Sequence, residues 1–302
     1  MFGPLLYGVA ASSVMSGTSL LYATLGEIVG ERGGIVNLGL EGIMLVGAAS
    51  GFAMTALTGD PYLGLAAAAV AGTALNLIFA YLVVSRRANQ LATGLTLMFF
   101  GLGLSALVGR PFVGALISGL PKLHLFGGAG ARGGLLNYDV LVYLAVPVSV
   151  LIWWLLFRTR WGLELRAVGE SPAAALAAGV RPPRLQYQAL ALAGLLGGIA
   201  GAHLSLALTL TWAEGMTAGR GFIAIALVIF AKWNPLWAIA GALLFGGAES
   251  LQLQLQAAGA DVSPFIMNMV PYLLTLIVLI VWGWSRQTAA PAALGRTFFG
   301  VE

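Results

Sequence analysis

The chain contains no cysteine, which excludes disulfide frameworks, iron–sulfur clusters and thiolate zinc sites. Histidine is nearly as scarce. His124 and His203 are the only two, and neither stands in a metal-binding spacing such as His-Glu-x-x-His. The lysines, Lys122 and Lys232, both lack the Gly-rich run that a phosphate-binding P-loop requires. Any ATP consumed therefore belongs to another chain. Paired carboxylates, a Ser/His constellation and a metal cluster are likewise missing, so neither an enzyme nor a bound metal or cofactor is expected. Charge is the largest deficit: Asp, Glu, Lys and Arg make up 9% of 302 residues, against roughly 25% in a soluble domain.

What is present is apolar. Hydrophobic residues reach 59% and the mean hydropathy is +0.93. A hydrocarbon core about 30 Å thick needs about 20 apolar residues per helical crossing. The chain has room for about 8–10 crossings and little else. The expected fold is an all-α polytopic membrane protein, a single transmembrane domain over residues 1–302 with broken or half helices. Residues 1–26 carry no charge and have no basic start, which reads as a retained helix rather than a cleaved signal. Further apolar runs occupy 35–57, 62–85, 90–109, 140–157, 186–211, 235–256 and 265–284, in which Glu41 and Glu249 are the only charges. One shorter run, Gly221–Ala231, lies between Arg220 and Lys232. As a helix it reaches about half a bilayer, so it predicts a half-helix or a crossing continued by irregular backbone.

With nine crossings, the segments 27–34, 86–89, 158–185, 232–234 and 285–302 share one side and hold eleven Lys/Arg, against four on the other. The positive-inside rule puts the first set in the cytoplasm, and the pI near 9.6 reflects topology rather than nucleic acid. Glycine is abundant at 42 residues; Gly194, Gly197, Gly198 and Gly201 are spaced for close helix packing, as are Gly26, Gly30 and Gly34. Trp212, Phe222 and Trp233 flank the short run and fit either base stacking or an interfacial belt. Residues 286–302 read as a short, poorly structured cytoplasmic tail.

Two stretches are not generic. In the basic loop 158–185, Ser171 is a good N-cap, Pro172 suits the first helical position and the alanines favour helix. Gly179 can take a left-handed C′ conformation, and Pro182–Pro183 forbid continuation. A helix so short does not hold alone in water, so it must dock on something: a partner is expected, the alternative being lipid headgroups, for which its alanine-dominated body offers little apolar area. The second stretch, Leu25–Gly47, is a helical run broken at Gly33–Gly34 that resumes with Asn37 and Glu41. Polar groups at membrane depth face a cavity or a partner, and the same holds for Asn76, Gln90, Glu249 and Asn268. These six are the candidates for a substrate pathway, with interhelical hydrogen bonding the competing role.

Four phrases, LGEIVGERGGIVNLGLEGIMLVG at 25–47, RRANQLATG at 86–94, RAVGESPAAALAAGV at 166–180 and GRGFIAIALVIFAKWNP at 219–235, resemble the permeases of ribose, branched-chain amino acid and cobalamin ABC importers. GGIVNLGLEG and RANQLATG most resemble the shorter of the paired permeases of the nucleoside-importer branch. The resemblance implies a type II importer-permease fold and a multi-pass protein of the cytoplasmic membrane, moving nucleosides inward by alternating access. It also implies a second permease, a separate cytoplasmic ATPase and an extracytoplasmic substrate-binding lipoprotein or protein. Glu170, Ser171, Pro172, Ala173, Ala174, Leu176, Ala177 and Gly179 would then be the ATPase-coupling residues. A simple-sugar importer is the alternative within this mechanism. An ion-coupled secondary transporter, with Glu41 or Glu249 as proton carrier, is the alternative outside it.

Overall fold

The computed structural model of the chain describes residues 2–124, 137–257 and 290–296, with six further helical positions between Met269 and Ile280. Most of the expected 265–284 crossing, Asn268, and residues 286–289 and 297–302 lie outside the described residues. The helices are α1 (Phe2–Arg32), α2 (Leu40–Thr58), α3 (Pro61–Ala80), α4 (Gln90–Gly109), α5 (Val140–Arg158), α6 (Arg160–Glu170), α7 (Pro172–Ala177), α8 (Pro182–His203), α9 (Arg220–Phe230) and α10 (Pro235–Ala257). Among the described residues six helical segments are long and apolar enough to cross a membrane. The only strand pairing described there is antiparallel, between β1 (Lys122–His124) and β2 (Asn137–Asp139). This is an all-α polytopic membrane protein.

Local chemistry places the helix ends. Asp60 accepts from the Tyr62 N–H at 2.8 Å ahead of Pro61, and Asn89 accepts from the Ala92 N–H at 3.0 Å. Asp139 accepts from Leu141 and Val142 at the start of α5. Each satisfies a donor that the first helical turn leaves unpaired. Helices α3 and α8 both run on into a wide final turn, closed by Arg86 N–H to Tyr81 C=O at 3.1 Å and Thr209 N–H to Leu204 C=O at 2.9 Å.

Helix α8 is the centre of the bundle, packed against α1, α2, α3 and α6. A Cβ on Gly72 would come within 2.7 Å of the Gly198 Cα, and so would a Cβ on Gly47. Three backbones therefore meet at one level with no side chain between them, as association in lipid requires. Around this contact Met44, Ala68, Leu196, Ala200 and Ala202 are buried in the main core.

The five segments that share a charge bias meet at one end of the bundle. Arg32 bonds the Trp233 carbonyl, Gln186 bonds the Gly33 carbonyl, Gln90 bonds the Arg296 carbonyl, and Ser85 and Tyr187 share a 2.6 Å hydrogen bond. At the other end Leu120 donates to the Leu206 carbonyl, and the Tyr138 hydroxyl to Ala11. The absence of cysteine makes a labelling test direct. Val113→Cys and Leu163→Cys, both at exposed positions, are expected to react with an impermeant maleimide from opposite membrane faces. Labelling of both from one face would invalidate this topology.

Helix α1 continues to Arg32 and stops at the Gly33–Gly34 break, as the sequence reading expects, with Glu27, Glu31 and Arg32 finding partners inside the bundle. Three features depart from that reading. The loop 158–185 is largely helical: α6 buries Leu165 and Val168 completely and begins at the Thr159 cap. Pro182 and Pro183 both end one helix and open the next, since α8 starts at Pro182. Residues 290–296, expected as unstructured tail, form a turn packed on the bundle, with Pro291 and Ala293 buried.

Candidate functional site: a broken helix tied to a capped loop helix

Between α1 and α2 the backbone loses its helical bonds, and Gly34 turns through φ +86°, a conformation natural to glycine. Side chains from three helices, and Asn37 of the break itself, then take up the released backbone groups. The Glu27 carboxylate accepts from the Asn37 N–H at 2.8 Å. Gln90 accepts from the Val36 N–H at 3.0 Å, while Gln186 donates to the Gly33 carbonyl at 3.2 Å. Asn37 accepts from Gly39 N–H at 2.8 Å and donates to Asn76 at 2.8 Å; Asn76 in turn donates to the Leu190 carbonyl at 2.6 Å. Asn37, Asn76 and Gln90 are all buried. Of the six pathway candidates, the structure brings these three together, and each holds the break open through protein hydrogen bonds. Irregular backbone within a membrane bundle needs such partners.

The break also grips α9 at both ends. Glu41, in the first turn of α2, caps the start of α9: its carboxylate accepts from the Thr217 hydroxyl at 2.6 Å, Gly219 N–H at 2.7 Å and Gly221 N–H at 2.6 Å. A carboxylate there also meets the positive end of the helix dipole. At the other end Glu31 accepts from the Trp233 indole at 2.5 Å, and the Arg32 guanidinium reaches the Lys232 and Trp233 carbonyls. Lys232 and Trp233 both sit at positive φ, so the chain turns sharply as α9 ends. The α9 helix has 11 residues, and its run of apolar residues matches the half-helix expected from the sequence.

Arg220, at the start of α9, pairs with Glu249. Glu249 lies about 21 Å along α10 from Pro235 at 1.5 Å per residue. The pair is therefore well within the bundle, and Arg220 is not the loop cation that the charge count assumed. Trp212 and Trp233 are buried, Trp212 against Phe52 and Ala49, so neither belongs to an interfacial belt; Phe222 is exposed at 39%. Sequence reasoning missed Glu27, Glu31, Arg32 and Gln186, and noted Trp233 without its hydrogen bond to Glu31. The available signal was Glu27 and Glu31 one helical turn apart, immediately before the glycine break. Trp233→Phe, which keeps the ring and removes the donor to Glu31, is expected to destabilise the protein by about 1–3 kcal/mol. A thermal unfolding series in detergent checks it, and an unchanged midpoint would contradict it.

At the same end, α7 has both termini specified. The Ser171 hydroxyl accepts from Ala174 N–H at 3.3 Å. Gly179 has φ +83°, its N–H bonds the Leu176 carbonyl at 2.9 Å, and Val180 N–H bonds Ala175 at 3.0 Å. This paired closure is the Schellman arrangement. Ala175 faces the bundle and is buried, whereas Glu170, Ser171, Ala173, Ala174, Leu176, Ala177 and Gly179 are exposed and Pro172 is half-buried. The eight residues singled out in the sequence thus form one projecting surface.

A many-helix bundle with a broken helix, a half-helix and a capped helix outside the spans defines a membrane transport permease. The family described as "Branched-chain amino acid transport system / permease component" matches residues 9–280. The chain belongs to this family of ABC transporter permeases. It is 39% identical to TsgC13 of Haloferax volcanii, whose name assigns it to glucose, with 96% of this chain and 97% of that protein covered. It is 32% identical to the guanosine ABC transporter permease NupQ of Bacillus subtilis, covering 95% of each. With the nucleoside ABC transporter permease NupC of Lactococcus lactis it shares 34% identity over 96% of each. Family membership implies an ATPase and a substrate-binding protein as partners.

Proposed function

We propose that the chain is one of two permease subunits of an ATP-driven importer in the cytoplasmic membrane, with ATP hydrolysed on a separate ATPase and substrate delivered by an extracytoplasmic binding protein. The observation that carries this reading is α7: a helix too short to be stable alone, capped at both ends, projecting beside the break. Contact of Glu170–Gly179 with the ATPase would move the end of α6 and, with it, Gly33–Gly34. Asn37, Glu41, Asn76 and Gln90 act in this scheme by holding the moving parts, α9 and the broken segment, in register. The same geometry weakens the ion-coupled alternative. Glu41 has both oxygens engaged by α9, and Glu249 is held by Arg220.

Nucleosides are the proposed substrate class, supported by the similarity to NupQ and NupC. The 39% identity to TsgC13 favours a second reading, a simple sugar. Proteoliposomes holding the two permeases and the ATPase, supplied with the binding protein, separate the two. ATP-dependent accumulation of labelled guanosine that excess glucose does not compete away is the expected result. Accumulation of glucose alone would replace the nucleoside assignment, and gradient-driven uptake by this chain without any ATPase would end the ABC reading.

A further inference from the structure

The turn at 290–296 touches the end of α6, just ahead of α7, and the Gly33–Gly34 break at once. Ala293 N–H donates to the Gly169 carbonyl at 2.9 Å, in the last turn of α6, and Ala292 N–H to the Glu170 carboxylate at 3.2 Å. Two residues on, Gly295 N–H donates to the Gly34 carbonyl at 3.3 Å, and the Arg296 carbonyl accepts from Gln90 at 3.2 Å. The turn is closed internally by Leu294 N–H to Pro291 at 3.1 Å and Arg296 N–H to Ala293 at 3.0 Å, with Gly295 at φ +74°. Ala290 and Leu294 pack on the main core, and Ala293 is 8% exposed. The piece is therefore short, internally bonded and anchored by backbone groups at both ends.

Each anchor matters by position. Glu170 and Gly169 immediately precede the Ser171 cap of α7. Gly34 is the left-handed residue of the break, and Gln90 also bonds Val36 within it. A short closed turn bonded to both transmits displacement better than a flexible loop, because its own hydrogen bonds must break before it can stretch.

We propose that residues 290–296 form a tie that carries displacement of α7 to the Gly33–Gly34 break, with Ala293 as the positioning residue at its centre. The inference rests on α7 being the ATPase-contacting helix, and it adds a transmission element from a different part of the chain. Ala293 acts through the backbone of its neighbours: a small side chain lets the turn sit against Gly169 and Gly34 together. Ala293 is almost fully buried, so a charged group at 293 has no solvent to reach while the turn stays seated and must lift it away.

The test uses the complete transporter in proteoliposomes, with three forms of this chain: Ala293→Asp, a chain ended after residue 289, and Ala293→Ser. Two quantities are read for each, ATPase retained on purification with its basal hydrolysis, and labelled guanosine or glucose accumulated per ATP hydrolysed. The first two forms are expected to keep the ATPase and its hydrolysis while accumulation per ATP falls at least tenfold. Ala293→Ser is expected to stay within twofold of wild type. Wild-type coupling in both disrupted forms would overturn the tie. So would loss of the ATPase from both, which would make the turn part of assembly rather than transmission. If the wild-type complex itself showed no ATP-driven accumulation, the transporter reading would fail first and the tie with it, a result distinguishable from the others by its control.

Discussion

Glu41→Ala is expected to abolish transport and lower the amount of folded protein in the membrane. The substitution strips three donors of their acceptor at once: the Thr217 hydroxyl, Gly219 N–H and Gly221 N–H. A buried donor left unmatched costs about 1–3 kcal/mol, so a total near 3 kcal/mol or more is expected even with partial relaxation. Helix α9 would lose the anchor that fixes its start against α2, while Glu31 and Arg32 still hold its other end. Glu41→Gln keeps one acceptor oxygen and is expected to fall between the two. The contact can also be attacked from the other side. A Cβ on Gly221 would come within 2.6 Å of the Glu41 backbone, so Gly221→Ala is expected to reproduce the Glu41→Ala defect without touching the carboxylate. Uptake in proteoliposomes and the fluorescence-detected yield of folded protein check both. Normal uptake by Glu41→Ala would show that α9 needs no anchor.

Much of this site was legible because it is written in local chemistry. The caps of α7 depend on residues within the helix and its borders, so Ser171 and Gly179 could be read in isolation. The length of α9 follows from eleven residues between two cations, and the break from two adjacent glycines. Charge asymmetry grouped five segments that do meet at one end. The misreadings share a different cause. Glu27, Glu31 and Arg32 sit in a segment that the charge count places outside the membrane, and their partners Asn37 and Trp233 become neighbours only after the bundle closes. The polar residues Asn37, Asn76 and Gln90 were visible as anomalies with two expected roles, substrate contact or interhelical hydrogen bonding, because an amide that binds substrate and one that binds backbone look alike in sequence. The 290–296 turn escaped because its anchoring is by backbone groups, which carry no residue signature. Helix α6 escaped because its apolar face is short and interrupted by charges such as the exposed Arg160–Glu164 pair.

The second large effect belongs to α7, where two substitutions separate surface from shape. Leu176 is the one large apolar side chain on the helix and is 37% exposed, next to the buried Ala175. Leu176→Asp leaves both caps intact and places a charge where the proposed ATPase contact would close over apolar area, so membrane insertion is expected to be unaffected. Gly179→Val acts on the backbone instead. The residue holds φ +83°, a region that β-branched side chains resist, although nothing lies within 4 Å of a Cβ there. The strain alone is of order 1–3 kcal/mol, which a helix of six residues cannot absorb, and its last turn should unwind. Both variants are expected to lose at least tenfold in substrate accumulated per ATP hydrolysed, Leu176→Asp by weakened contact with the ATPase and Gly179→Val by loss of the surface itself. Gly179→Asn, which tolerates positive φ far better, is expected to recover most of the Gly179→Val loss. If Leu176→Asp and Gly179→Val both retain wild-type coupling, force reaches the break by a route that bypasses α7.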